Sequence, residues 1–175
     1  MTRLSLGVSL AALVLYWSSA AAGRPWIPKT ENPYCDVATY LLRDVPEQAM
    51  SMQDSKGRPV IVVNGYTLTH RPAYGRFLLA HECCHHSLGH VDRFSKKKGV
   101  GRVGPQPFFY LAPELKQMEL AADCCAIKLL RSSNDSDGIG EAEEEMTRFG
   151  SAPTGAYYPT GTERAENMAA CAAAE

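Results

Sequence analysis

"HECCHHSLGH", residues 81–90, holds four of the chain's five histidines, a glutamate and two adjacent cysteines. On a helix, residues four apart share a face, one turn removed from each other. His81 and His85 therefore project together and can offer two imidazoles to one metal ion. Glu82 stands next to His81 and can lean toward a water at such a metal. This is the His-Glu-x-x-His arrangement, two ligands plus a general base. The flanks support a helix. Pro72 suits a first turn, and Gly89 is a fitting stop. Histidines on an ordinary helix would produce the same letters, so the reading turns on a third ligand.

A catalytic zinc takes three protein ligands and keeps a fourth position open. The stretch "ELAAD", Glu119 to Asp123, falls inside a second expected helix that starts at Pro113 and runs through "ELKQMELAADCCAIKLLR". Glu119 and Asp123 again lie four apart, on one face. A carboxylate within "MELAA" and "AIKLL" is costly to bury unless it pairs or binds metal. Glu119 as the third ligand, with Asp123 as hydrogen-bond partner of a ligand histidine, would satisfy both groups. The competing reading is a solvated helix face. His90, just past the helix stop, is expected to support the site without ligating. His86 lies about 100° round the helix from His85 and should point elsewhere.

With these residues in place, "LLAHECCHHSLGH" (78–90) and "ELAADCCA" (119–126) resemble the gluzincin metallopeptidases of the CAAX prenyl protease and HtpX type. That family has HExxH, a further histidine five residues on, then ExxADxxA and often HPxxxxR. Here "YPTGTER" (158–164) supplies Pro159 and Arg164, while Tyr158 stands where the family has histidine. The resemblance covers roughly residues 58–170, and in lacking the family's membrane helices the chain is most similar to the small soluble minigluzincins. It implies an α+β, zincin-like domain with a small antiparallel sheet packed on the two active-site helices. It implies Zn2+ as cofactor, held by His81, His85 and Glu119. It also implies endopeptidase activity, hydrolysing peptide bonds through a zinc-bound water with Glu82 as general base. Tyr158 and Arg164 become candidate donors to the oxyanion, and the strand around "VIVVN" would offer its edge to an extended peptide.

Two other classes of function compete. One is a catalytically weak gluzincin-like protein that binds peptides or acts as a chaperone. The other is a thiol metal-binding or redox protein, which lacks the CxxC spacing usual for dithiol chemistry. Composition excludes little else. With 18 Lys+Arg against 19 Asp+Glu there is no basic excess to suggest nucleic acid. The basic run Arg93, Lys96, Lys97, Lys98, Arg102 and the acidic run Glu141, Glu143, Glu144, Glu145 read as solvated surface.

Residues 1–22 read as a signal peptide: Arg3, the apolar "LSLGVSLAALVLYW", then "SSAAAG" with Ala20 and Ala22 before Gly23. Residues 23–175 would form one metallopeptidase domain, secreted or periplasmic, with a peptide or protein partner and no membrane span after signal cleavage. In an oxidising compartment the six cysteines favour disulfides, with 15 possible connectivities. Four thiolates from the two "CC" pairs cannot easily converge on one metal, because adjacent helical residues diverge by about 100°. The expectation is one bridge from Cys83 or Cys84 to Cys124 or Cys125, and a second from Cys35 to Cys171. Buried reduced cysteines are the alternative.

The remaining elements follow from pattern. "YCDVATYLLR" (34–43) has helical apolar spacing, and "AMSM" and "PVIVVN" flank the turn-forming "QDSKGR" as a hairpin. "DRFSKKKGVGRVGPQPFFY" (92–110) reads as a long loop able to cover a cleft. An acidic helix over 141–149 and a last helix from about residue 162 to 174 complete the chain.

Overall fold

The computed structural model describes residues 27–45, 48–96, 106–155 and 157–174. The expected signal peptide and the centre of the expected loop, residues 97–105, lie outside the described residues. The fold is α+β, a four-stranded sheet with six helices among the described residues.

The hairpin forms as its sequence predicts. Strand β3 (Ala49–Gln53) pairs antiparallel with β4 (Pro59–Asn64). Gly57 takes a φ of 76° at the turn, where a side chain would be strained. The Asp54 carboxylate accepts from the backbone N–H of Lys56 and Arg58, closing the turn from within. The run that reads as a helix over 34–43 is instead a strand, β2 (Ala38–Leu42), parallel to β4 in the register Ala38↔Val60 to Leu42↔Asn64. "VATYLL" is too short for its periodicity to choose between helix and strand. It is rich in β-formers, and pairing with the buried β4 satisfies its backbone. With β1 (Lys29–Thr30) antiparallel on β2, the order is β1-β2-β4-β3. The sheet is thus mixed, not the antiparallel sheet expected. Strand β4 is interior, so the edge nearest the site is β3 and not "VIVVN".

After β4 the chain turns directly into helices. Asn64 caps α1 (Gly65–His70) by accepting from Tyr66 and Thr67 N–H groups. Pro72 opens α2 (Pro72–Ser87), and Gly89, at φ 71°, follows its C-cap. Short α3 (His90–Lys96) occupies the start of the expected loop. Helix α4 spans Gln106–Ser132 and begins seven residues before Pro113, which sits in its interior. Proline there costs one backbone hydrogen bond and disfavours a helix locally, yet the helix continues through it. Asp135 caps α5 (Ser136–Phe149), and Thr160 with Glu163 forms a capping box for α6 (Gly161–Ala173). Gly161 is required by close approach, since a Cβ there would lie 2.2 Å from the Met146 carbonyl.

The core lies where α2, α4, α5 and α6 meet, around Phe77, Ala80, Ile127, Leu130, Met146 and Met168. Three disulfides staple it in series. Cys35–Cys83 ties the loop before β2 to α2, Cys84–Cys125 ties α2 to α4, and Cys124–Cys171 ties α4 to α6. The expected bridge between the two "CC" pairs is therefore present, whereas the expected Cys35–Cys171 bridge is not. The reason is geometric. Cys35 lies beside α2 and Cys171 beside α4, and a disulfide spans only about 4.4–6.8 Å between Cα atoms.

Candidate metal centre

Helix α2 runs beside α4, and their facing surfaces carry the chemistry. His81 and His85, one turn apart, bring their Nε2 atoms to 3.0 Å. From α4, Glu119 sets Oε2 3.3 Å from His81 Nε2 and Oε1 3.3 Å from His85 Nε2. One ligand atom from each of the three residues lies within 4.8 Å of the others. His81, His85 and Glu119 can together hold a metal ion, as the sequence predicts. Two imidazole nitrogens and a carboxylate oxygen, facing one point from two rigid helices, match the donor set of a three-ligand centre with an open position.

Supporting groups fix these donors. Asp123, fully buried one turn along α4, places Oδ1 2.9 Å from His81 Nδ1, though off the axis of a well-directed hydrogen bond. This contact assigns the Nδ1 side of His81 to Asp123 and leaves Nε2 facing the cluster. Asp123 is itself held by Arg164 from α6, which donates Nε to Oδ2 at 2.8 Å and Nη2 to Oδ1 at 2.6 Å. Arg164 Nη1 donates to Thr154 Oγ1, and Nη2 stands 3.9 Å from Glu119. Its position is thus governed by Asp123, while its side chain also lines the cleft. His90 sets Nδ1 3.1 Å from His85 Nδ1 and so supports the second histidine. His86 points away as expected, to the Val60 carbonyl.

The electrostatics are those of a compensated buried charge cluster. Burial would push the His81 imidazole down, but the close Asp123 and Glu119 carboxylates outweigh it, and its pKa rises to about 10. Burial likewise opposes ionisation of Glu119, yet His81 and His85 hold it well below the usual carboxylate range. Asp123 is lowered too, because the adjacent Arg164 charge overrides its burial. His90 goes the other way. Burial, then the nearby His85, lowers its pKa to about 4, so it is neutral at pH 7.

The cluster opens on a cleft of about 730 Å³. Glu82 lies in its wall with Tyr158, and β3 runs along it together with the flanking Gln48 and Asp54. Asn64 N–H bonds Gln48 O and Asp54 N–H bonds Arg58 O, at the two ends of the β3–β4 ladder. Antiparallel alternation then turns the N–H and C=O groups of Ala49, Ser51 and Gln53 outward, toward the cleft edge. Two participants escaped the sequence reading. Thr154 gave no signal. Ser51, the one hydroxyl in "AMSMQ", was visible only as a polar break in an apolar strand.

No protein-family model, no curated protein and no solved structure matches the chain. The function therefore rests on the geometry of this centre.

Proposed function

We propose that this chain is an exported zinc-dependent metalloendopeptidase of gluzincin-like, zincin-type build, acting on extended peptides laid along β3. The observation that carries the reading is the coincidence, in one cleft, of three converging side chains able to ligate a metal, the Glu82 carboxylate and a strand edge unpaired among the described residues. His/His/Glu ligation with an open position favours zinc among divalent ions. Bound there, zinc supplies a Lewis acid and water of lowered pKa.

The chain's own residues do the rest. The outward backbone groups of Ala49, Ser51 and Gln53 hold the peptide as an added strand, a mode that selects backbone more than sequence. Glu82 takes a proton at its carboxylate as the peptide carbonyl is attacked and returns it to the leaving amine. The Tyr158 hydroxyl donates to charge developing on the carbonyl oxygen. Asp123, clamped by Arg164, keeps His81 turned toward the cluster. Three disulfides among the described residues, with no free cysteine, fit the oxidising compartment of a secreted or periplasmic protein. No described helix is long and apolar enough to cross a membrane.

The test is cleavage of a peptide library by the zinc-loaded chain from Gly23 onward, beside Glu82→Gln. Wild-type cleavage should exceed that of the variant by about 10²–10⁴-fold, with zinc content equal in both. Peptides bound but left intact by both proteins would move the reading to a gluzincin-like peptide-binding or chaperone-type protein.

A further inference from the structure

Glu82 is 6 % exposed and sits on α2 between two ligand-bearing turns, yet its carboxylate is held from another element. Ser51 Oγ lies 2.7 Å from Glu82 Oε2 and 2.7 Å from the Glu82 backbone carbonyl. Among the described residues no other hydrogen-bond donor reaches that carboxylate. Ser51 is the middle residue of β3, opposite Ile61. By the alternation fixed at Gln48 and Asp54, its own N–H and C=O face the free edge while its side chain turns inward to α2.

We propose that Ser51 is a positioning residue that fixes the Glu82 carboxylate and couples it to the strand along which the peptide lies. The inference rests on the endopeptidase reading of the cleft. A hydroxyl has one hydrogen and two acceptor sites. Facing an ionised carboxylate, it donates to Oε2. When Glu82 carries the proton taken up in the reaction on its other oxygen, Oε2 still accepts from the Ser51 hydroxyl. The same short contact therefore holds Glu82 in one orientation through both halves of the cycle. A flexible glutamate without this anchor would sample several rotamers. A peptide paired to the backbone of Ser51 is placed one residue's width from the group that handles its proton. Docking and proton transfer thus share one rigid strand.

The test compares wild type, Ser51→Ala and Ser51→Thr, each as the zinc-loaded chain from Gly23. Ser51→Ala should lower kcat by about 10–100-fold, the scale of a misplaced catalytic group, while KM changes less than about threefold. Ser51→Thr, which keeps the hydroxyl on a residue at home in a strand, should restore most of the rate. The second readout is independent of turnover. Crystal structures should show one Glu82 conformer in wild type and Ser51→Thr, and several in Ser51→Ala. Full kcat in Ser51→Ala, or a single unchanged Glu82 conformer there, would overturn the proposal. If wild type cleaves nothing, the endopeptidase reading falls. The conformers of Glu82 then decide the positioning role alone.

Discussion

Asp123→Asn removes one negative charge at nearly constant volume from a site with no solvent exposure. In the wild type this carboxylate accepts 2.8 and 2.6 Å hydrogen bonds from Arg164 and faces His81 Nδ1 at 2.9 Å. Removing one partner of a buried ion pair costs about 3–5 kcal/mol, because the other charge is left uncompensated. Two features place this site at the low end. Glu119 remains 3.9 Å from Arg164 Nη2, and asparagine keeps one acceptor oxygen. A loss of about 3 kcal/mol corresponds to a fall of about 6–12 °C in Tm for a domain of this size. Zinc binding should weaken separately, by about 10–100-fold, because the Nδ1 side of His81 loses its anionic partner.

Thermal melts of the metal-free protein read the first effect, and competition for zinc against a chromophoric chelator reads the second. Arg164→Lys keeps the charge but not the planar fork, so it should lower Tm while changing zinc affinity less than Asp123→Asn does. A Tm loss under about 2 °C for Asp123→Asn, with zinc affinity unchanged, would refute the reasoning. It would mean that the Arg164–Asp123–His81 chain carries neither stability nor ligand orientation.

Three further outcomes are expected. With its pKa raised to about 10, His81 is protonated in the metal-free protein at pH 8, so zinc uptake should displace about one proton from it; calorimetry in buffers of different ionisation enthalpy measures that number. The sign for the metal-free protein follows from the same shift. A folded-state pKa above the unfolded value of about 6.5 contributes stability that is full below pH 6.5 and lost as pH rises through about 10. Melts of the metal-free protein should show this loss, while zinc affinity rises over the same range. The double variant Cys84→Ala/Cys125→Ala should lower stability to denaturant by about 4 kcal/mol in the chain-entropy estimate for its loop. The three bridges, with sequence separations of 48, 41 and 47, close loops that lie almost end to end. Removing the middle one should therefore leave the other two contributions intact, which single-bridge deletions measured alongside would check.

How much of this was legible in the sequence depended on how local each cause was. A spacing of four on one helix is a local fact, so His81 with His85, and Glu119 with Asp123, could be paired before any tertiary structure was known. That α2 and α4 would face each other followed from chemistry. A buried carboxylate pair and two histidines each need a partner, and each supplies what the other lacks. Arg164 and Tyr158 came from the resemblance in "YPTGTER", and both do line the cleft. Ser51 could not be found this way. Its meaning depends on which strand forms the edge, and strand order is a tertiary outcome. The same holds for "VATYLL", whose partner β4 lies about twenty residues on, as the second strand of the hairpin that β3 begins.

The cysteines show where local geometry stops being sufficient. Adjacent helical residues diverge by about 100°, so neither "CC" pair can spend both sulfurs on the same neighbour. One sulfur of each pair reaches across between α2 and α4, which is the bridge the sequence led us to expect. The expected Cys35–Cys171 bridge left the second sulfur of each pair without a partner, and the structure gives each an outward one. Cys83 takes Cys35 because the chain entering β2 passes α2, and Cys124 takes Cys171 because α6 packs on α4. The resulting series of staples runs along the route of the metal centre's own support: α2 holds His81 and His85, α4 holds Glu119 and Asp123, and α6 holds Arg164. The Cys84–Cys125 and Cys124–Cys171 links each join two helices that a polar contact of the centre also joins. In a domain with a modest core, that redundancy holds the three candidate ligands, His81, His85 and Glu119, in alignment.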